Sequence, residues 1–249
     1  MKRIATLLTA IALVALLSVL SGCQEKNELV MGTNAAFPPF EYIGGADGNA
    51  VVGFDVEIAK AIAEKAGKTL RIEDMEFDSL LTALNADKID FAIAGMTITD
   101  EREKSVDFSD PYYEATQAVI VRKADNPIST KDDLNGKKIS VQLGTTGNEI
   151  AKEFTDDSNI VAFNTGFEAI MELKNGKVDA MIIDEQPAQN FIRQNSDLEI
   201  VSLDFDPEYY GIAVKEGKSS EELLPIINET LKELKANGTY DKLLSEYMK

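Results

Sequence analysis

The stretch DFAIAGMTITDEREKSVDFSDPYY, from Asp90 to Tyr113, decides how this chain is read. Phe91 to Ala94 form a short apolar run of the kind a buried strand shows. Gly95 stops the run and lets backbone come close to another group. A polar loop through Met96, Thr97 and Ile98 follows. Thr99 reads as a helix N-cap, with Asp100 and Glu101 in the first turn, where the helix dipole favours anions. Arg102 breaks that pattern, because a cation at the positive end of a helix asks for an anionic partner. Two partners fit. One is Asp100, Glu101 or another surface carboxylate. The other is a ligand carboxylate, held bidentately by Arg102 and by backbone N–H groups of the loop. Taken alone, the arginine favours the surface partner; the rest of the chain favours the ligand.

The 249 residues include one cysteine, no histidine and no tryptophan, and carry a formal charge of -18. Removing residues 1–22 takes away Lys2 and Arg3 and no acid, so the charge goes from -18 to -20. That balance argues against nucleic acid or an anionic membrane surface as a partner, and it mildly attracts cationic ligands. The length suits two modest cores.

The amino terminus reads as a processing segment. Lys2 and Arg3 form a basic start, and Ile4 to Leu20 is an apolar run rather short for a membrane span. It ends in Leu20-Ser21-Gly22-Cys23, which resembles the lipobox of bacterial lipoproteins, where cleavage precedes a cysteine that takes a diacylglyceryl group. The other reading is an ordinary secretory signal with an incidental cysteine. Residues 1–22 are therefore expected to be a lipoprotein signal peptide, Cys23 the lipidated residue and 23–28 a tether, leaving the protein outside the cytoplasm and anchored to the bacterial cell membrane. With a single cysteine, no disulfide forms within the chain.

Leu29 to Met31 reads as a strand running to Asn34. The loop from Ala35 to Phe40 contains Pro38 and Pro39, which forbid helix and fix extended backbone. Phe37 is either core or a platform for the aliphatic part of a ligand. Asp55 is an N-cap candidate for a helix through Ile62, capped at Gly67. An alternating strand from Leu70 to Met75, Phe77, and a helix with Leu80, Leu81 and Leu84 on one face lead back to the opening stretch. The β-α-β-α-β order predicts a mostly parallel sheet with helices on both faces. Ala115 to Val121 is a strand leaving this first unit, and Asn126-Pro127 lies in a loop. Lys138 to Gln142 begins a second unit. Its Gly144-Thr145-Thr146-Gly147 loop is an anion cradle that lacks the GK[ST] of a nucleotide-binding loop. Val178 to Ile183 is a buried strand ending at Asp184, which fits a helix cap as well as a ligand contact. Helices over Glu221 to Lys235 and Tyr240 to Met248 close the chain, with Leu223, Ile226, Ile227, Leu231 and Leu234 at core spacing.

An internal repeat organises these pieces. Phe77 to Asp90 matches Phe167 to Asp179 with one residue of length difference, and Leu29 to Thr33 matches Ser140 to Thr145. In that register Gly95 and Asp184 occupy equivalent strand ends. If the two units face each other, a cation site opposes an anion site. A small zwitterion fits between them, with its carboxylate on Arg102 and its ammonium on Asp184.

Several segments together resemble the extracytoplasmic solute-binding proteins of polar amino-acid ABC transporters (solute-binding protein family 3). They are Ala36 to Phe40, Gly53 to Val56, Gly95 to Arg102, Asp107 to Tyr112, Gly144 to Gly147, Asp179 to Asp184 and Tyr210-Gly211. The resemblance implies an α/β two-lobed Venus-flytrap fold of the periplasmic-binding-protein-like type II, with two mostly parallel sheets and a hinge. Lobe 1 would be 29–112 with 214–249 and lobe 2 would be 117–209, with crossings near 112–116 and 209–213. It implies that Gly95, Thr97, Arg102, Thr145 and Thr146 hold an α-carboxylate and that Asp184 holds the α-ammonium, with Phe37 and Phe77 flanking the side chain. Asn34, Met96 and Gln142 complete the expected ligand set. Asn34 stands where relatives for basic or glutamine-like ligands often carry Asp. The expected ligand is a free polar L-amino acid, glutamine-like or arginine-like, with acidic ones last; Glu41 and Glu208 would tip the preference towards cations. The expected partner is an ABC permease, and the expected state is a monomer without cofactor or metal. Two other functions compete with this one. A small-acid dehydratase shares the fold, but the chain lacks histidine, any thiol beyond Cys23 and a metal-ligand cluster. A sensory amino-acid receptor would call for a signalling domain, and none follows the two units.

Overall fold

A computed structural model describes residues 27–125 and 128–248. The signal-peptide segment 1–22, Cys23, most of the expected tether and Asn126-Pro127 lie outside the described residues.

The first half of the chain runs β1 (Glu28–Thr33), β2 (Ala36–Phe37), β3 (Glu41–Gly44), β4 (Ala50–Val52), α1 (Phe54–Lys65), β5 (Thr69–Asp74), α2 (Leu80–Asn85), β6 (Phe91–Ala92), β7 (Asp107–Phe108) and β8 (Tyr113–Ala115). The second runs β9 (Gln117–Arg122), β10 (Ile139–Gln142), α3 (Thr146–Phe154), β11 (Ile160–Phe163), α4 (Gly166–Lys174), β12 (Ala180–Asp184), α5 (Glu185–Gln194), β13 (Leu198–Val201) and β14 (Glu208–Tyr210). The chain then returns through β15 (Ala213–Val214), α6 (Lys218–Ala236) and α7 (Thr239–Tyr247).

Two five-stranded sheets result, ordered β5-β1-β6-β15-β7 and β11-β10-β12-β9-β13. In each, the three strands of the β-α-β-α-β unit are parallel, as the order of elements requires. In each, a fourth strand, β15 or β9, runs antiparallel to them, and the outer strand, β7 or β13, pairs antiparallel with that fourth strand and so runs in their direction. The chain passes between the sheets on β8 and β14, which pair antiparallel with Tyr113 opposite Tyr210. Phe40 packs edge-on against both rings, at 5.0 Å from Tyr113 and 5.2 Å from Tyr210, so an aromatic cluster underlies the crossing.

The repeat is visible in its hydrogen bonds. Asp90 accepts the N–H of Val30 at 2.7 Å, and Asp179 accepts the N–H of Lys138 at 2.9 Å. Each aspartate ties the start of its lobe's last parallel strand to the start of the first. The aromatic positions diverge. Phe77 is buried, whereas Phe167 is 61% exposed.

Three local expectations change. Asp55 is not a cap: Gly53 precedes the helix, and Asp55 is fully buried, accepting the Gly95 N–H at 2.8 Å and the Tyr112 hydroxyl at 2.7 Å. Thr99 accepts the Arg102 N–H at 3.2 Å, but the helix is a single 3₁₀ turn over Arg102–Lys104 with Glu101 at its cap position. The penultimate helix starts at Lys218, ahead of the expected Glu221, with Pro225 in its interior and Ile226 only half-buried.

Candidate functional site

The C-terminal ends of the parallel strands face one another across a narrow cleft, the usual ligand position in such sheets. Ten of the eleven expected binding residues line it: Asn34, Phe37, Phe77, Gly95, Thr97, Arg102, Gln142, Thr145, Thr146 and Asp184. Met96 does not; its side chain is buried in the first lobe with Leu80 and Val106. Glu41 and Ala94 join the lining.

Arg102 leaves the 3₁₀ turn and reaches across the cleft. Its Nη1 donates to the carbonyl of Thr97 at 2.5 Å and its Nη2 to the carbonyl of Gly144, in the other lobe, at 3.0 Å. The guanidinium lies 5.2 Å from the Phe77 ring centroid, a cation–π distance. Glu101 pairs with Lys104 instead, and among the described residues no carboxylate forms a salt bridge with Arg102. Burial lowers the arginine pKa, opposed by the charges of Glu208 and Asp184. The surface-partner alternative has no ion pair among the described residues to support it.

The Gly144 loop meets Arg102 from the second lobe. Gly144 has φ 76, and a Cβ there would stand 2.9 Å from the Cβ of Asp78, so the two lobes approach here as only glycine allows. Thr145 is the N-cap of α3: its hydroxyl donates to the Gln142 carbonyl at 2.8 Å and accepts the Asn148 N–H at 3.3 Å. The positive end of α3 thus lies at the cleft beside Arg102, a setting for a carboxylate. The Gly95 N–H is already committed to Asp55. What Gly95 contributes is room, since a Cβ on it would stand 2.7 Å from the Phe37 ring.

Asp184 ends β12 and occupies the cap position of α5, yet its side chain makes no cap bond. It is buried and accepts the Tyr210 hydroxyl at 2.6 Å. Burial, then the Glu208 charge, push its pKa up to about 7, while the Tyr210 bond opposes them.

At the side-chain end, Gln142 Nε2 donates across the cleft to Asn34 Oδ1 at 3.0 Å, and Asn34 Nδ2 donates to the Met75 carbonyl at 2.9 Å. Gln142 Oε1 and both oxygens of Glu41 are buried without a hydrogen-bond partner among the described residues. Burial, then the charge of Asp55, raise the Glu41 pKa well above the usual carboxylate range. Of the two acids expected to tip the preference towards cations, Glu41 lines the cleft and Glu208 does not.

The family model for bacterial extracellular solute-binding proteins, family 3, matches residues 29–249. The chain is 41% identical over 230 residues to the arginine-binding extracellular protein ArtP of Bacillus subtilis (strain 168), covering 89% of this chain and 86% of that one. Among solved structures, an ancestral arginine-binding protein bound to arginine is 44% identical, with a TM-score of 0.83 and coverage of 90% of this chain and 99% of that one. The same values hold for an ancestral arginine-binding protein bound to glutamine. With the family model matching almost all of the described residues and this identity over most of its length, the chain belongs to the bacterial extracellular solute-binding proteins of family 3.

Proposed function

We propose that this protein binds a free polar L-amino acid outside the cytoplasmic membrane and delivers it to an ABC permease, with arginine the first candidate and glutamine-like ligands next. One observation carries the reading. An arginine with no carboxylate partner among the described residues and a buried aspartate line the same cleft, the complement of a zwitterion whose two charges must each meet a partner once water is expelled. The side-chain end refines it. Gln142 Oε1 there is a buried acceptor without a partner among the described residues, and the Glu41 carboxyl is buried beside Asp55. A guanidinium brings five donors and no acceptor, whereas an acidic side chain would add acceptors to acceptors. The relatives' own ligands, arginine and glutamine, support the same choice. We also propose a lipid anchor at Cys23, action as a monomer, and closure of the two lobes about β8 and β14.

The test is a thermal-shift screen of the twenty amino acids followed by calorimetry on those that stabilise. Arginine or glutamine should lead. Preferential binding of aspartate or glutamate would overturn the ranking, and no binding by any amino acid would overturn the function.

A further inference from the structure

Glu208 does not line the cleft, yet one of its oxygens organises the wall. Glu208 Oε2 accepts the hydroxyl of Thr97 at 2.7 Å and the hydroxyl of Thr146 at 2.8 Å, one from each lobe, and the Gln117 amide at 3.3 Å. A hydroxyl has a single proton to give, and a carboxylate can only accept. Both threonine protons are therefore committed to Glu208. Thr146 also accepts from Gln117 Nε2 at 3.3 Å. What Thr97 and Thr146 can turn to the cleft is lone pairs. Thr145 has given its proton to a backbone carbonyl. None of the three hydroxyls is left to donate to a ligand carboxylate, which falls to Arg102 and the N-terminal end of α3.

Strand β14 supplies both Glu208 and Tyr210, and Tyr210 holds Asp184. One crossing strand thus orients an array of acceptors: Asp184, Thr97 and Thr146.

We propose that Glu208 is a specificity-determining residue: it fixes Thr97 and Thr146 as acceptors, and so makes this end of the cleft select for a free α-ammonium group. The inference rests on the amino-acid-binding function proposed above and replaces the expected carboxylate role of the two threonines.

The test compares L-arginine with its desamino counterpart, 5-guanidinopentanoate, by competition against labelled arginine. In Glu208→Ala the hydroxyls turn freely and can donate, so arginine should weaken about tenfold or more, the scale of a charged hydrogen-bond network. The desamino compound should hold within about twofold, and the ratio between the two should shrink. Glu208→Gln keeps an acceptor oxygen and should retain most of the discrimination. Thr97→Val and Thr146→Val should each weaken arginine and spare the desamino compound. A purely structural role for Glu208 lowers both ligands in proportion; an unchanged ratio in Glu208→Ala, or arginine affinity unmoved by both valine variants, would overturn the inference while leaving the functional reading intact. Wild-type protein that binds none of the twenty amino acids removes the functional reading itself and this inference with it.

Discussion

The Tyr210 hydroxyl donates to Asp184 Oδ1 at 2.6 Å, linking the crossing strand β14 to the last residue of β12 in the second lobe. Both residues are buried. The bond fixes the direction of the carboxylate and leaves its remaining acceptor capacity for a ligand. The hydrogen bonds that favour its charged form, from Tyr210 first and then Gln117, do not offset burial and the nearby Glu208 charge, so its pKa is raised to about 7.

Ligand binding should therefore release protons near neutral pH. An ammonium against Asp184 favours its charged form, so the proton held by the empty cleft leaves on binding. Calorimetry in two buffers of different ionisation heat reads the number released, and affinity should fall as pH drops below about 7. The ligand-free protein should respond in the opposite sense. The folded-state pKa of about 7 lies above the ordinary 3.8, so the Asp184 contribution to stability is present at low pH and lost as pH rises through 7. Asp55, raised to about 6 by burial, acts in the same direction. Identical binding heats in both buffers would rule out the proton release.

Gly95→Ala should damage both stability and binding. The residue has φ 53, where an alanine costs about 1–2 kcal/mol. The new methyl would also meet the Phe37 ring at 2.7 Å and displace a wall of the cleft. A lower melting temperature together with weaker ligand affinity is expected. Wild-type values for both would show that the ring and backbone yield freely.

Lobe closure should be measurable in solution. Hydrogen bonds that cross the cleft include Gln142 to Asn34, Arg102 to Gly144 and Asn164 to Glu76, and Glu208 takes a hydroxyl from each side. The lobes should part by bending at the paired strands β8 and β14 as these cross-cleft bonds break. Small-angle scattering should give a smaller radius of gyration at ligand saturation. An identical profile with and without ligand would count against hinge motion.

The parts of this fold that are legible in the sequence are those set by local pattern. Asp90 and Asp179 stand at matched positions of a repeat, and each does the same job in its own lobe. Arg102 is legible because a cation in a helix's first turn contradicts its surroundings. Asp55 misleads because its meaning is not local. Following Gly53-Phe54 it looks like a cap, but its partners Gly95 and Tyr112 lie 40 and 57 residues away. Glu208 is harder still, since its bond to Thr97 spans 111 positions and closes only when the chain returns through β14. Glu41 is defined by its burial at the cleft beside Asp55, which no sequence pattern displays.

The membrane attachment proposed at Cys23 has a direct test. Residues 4–20 supply the apolar run and Cys23 is the sole thiol of the chain. Cys23→Ser should release the protein from the membrane fraction or leave it unprocessed. Full processing with unchanged membrane fractionation would exclude lipidation at this residue.

Arg102 and Asp184 give the sharpest prediction. In a closed cleft the zwitterion loses its water, and each of its charges is left to one side chain of opposite sign. Removing one member of such a desolvated pair costs about 2–5 kcal/mol, much of it the penalty of leaving the other charge unpaired. Arg102→Ala and Asp184→Ala should each weaken binding at least thirtyfold, roughly the lower end of that range. Arg102→Lys should recover only part of the loss, because an ammonium cannot make two parallel hydrogen bonds to a carboxylate. It would also forgo the bond to the Gly144 carbonyl that ties the lobes together. A surface arginine would behave otherwise, with an effect below about 1 kcal/mol. Titration calorimetry of the three variants, with circular dichroism to confirm folding, separates the two cases. Alanine variants that fold and bind with wild-type affinity would end the zwitterion-clamp reading.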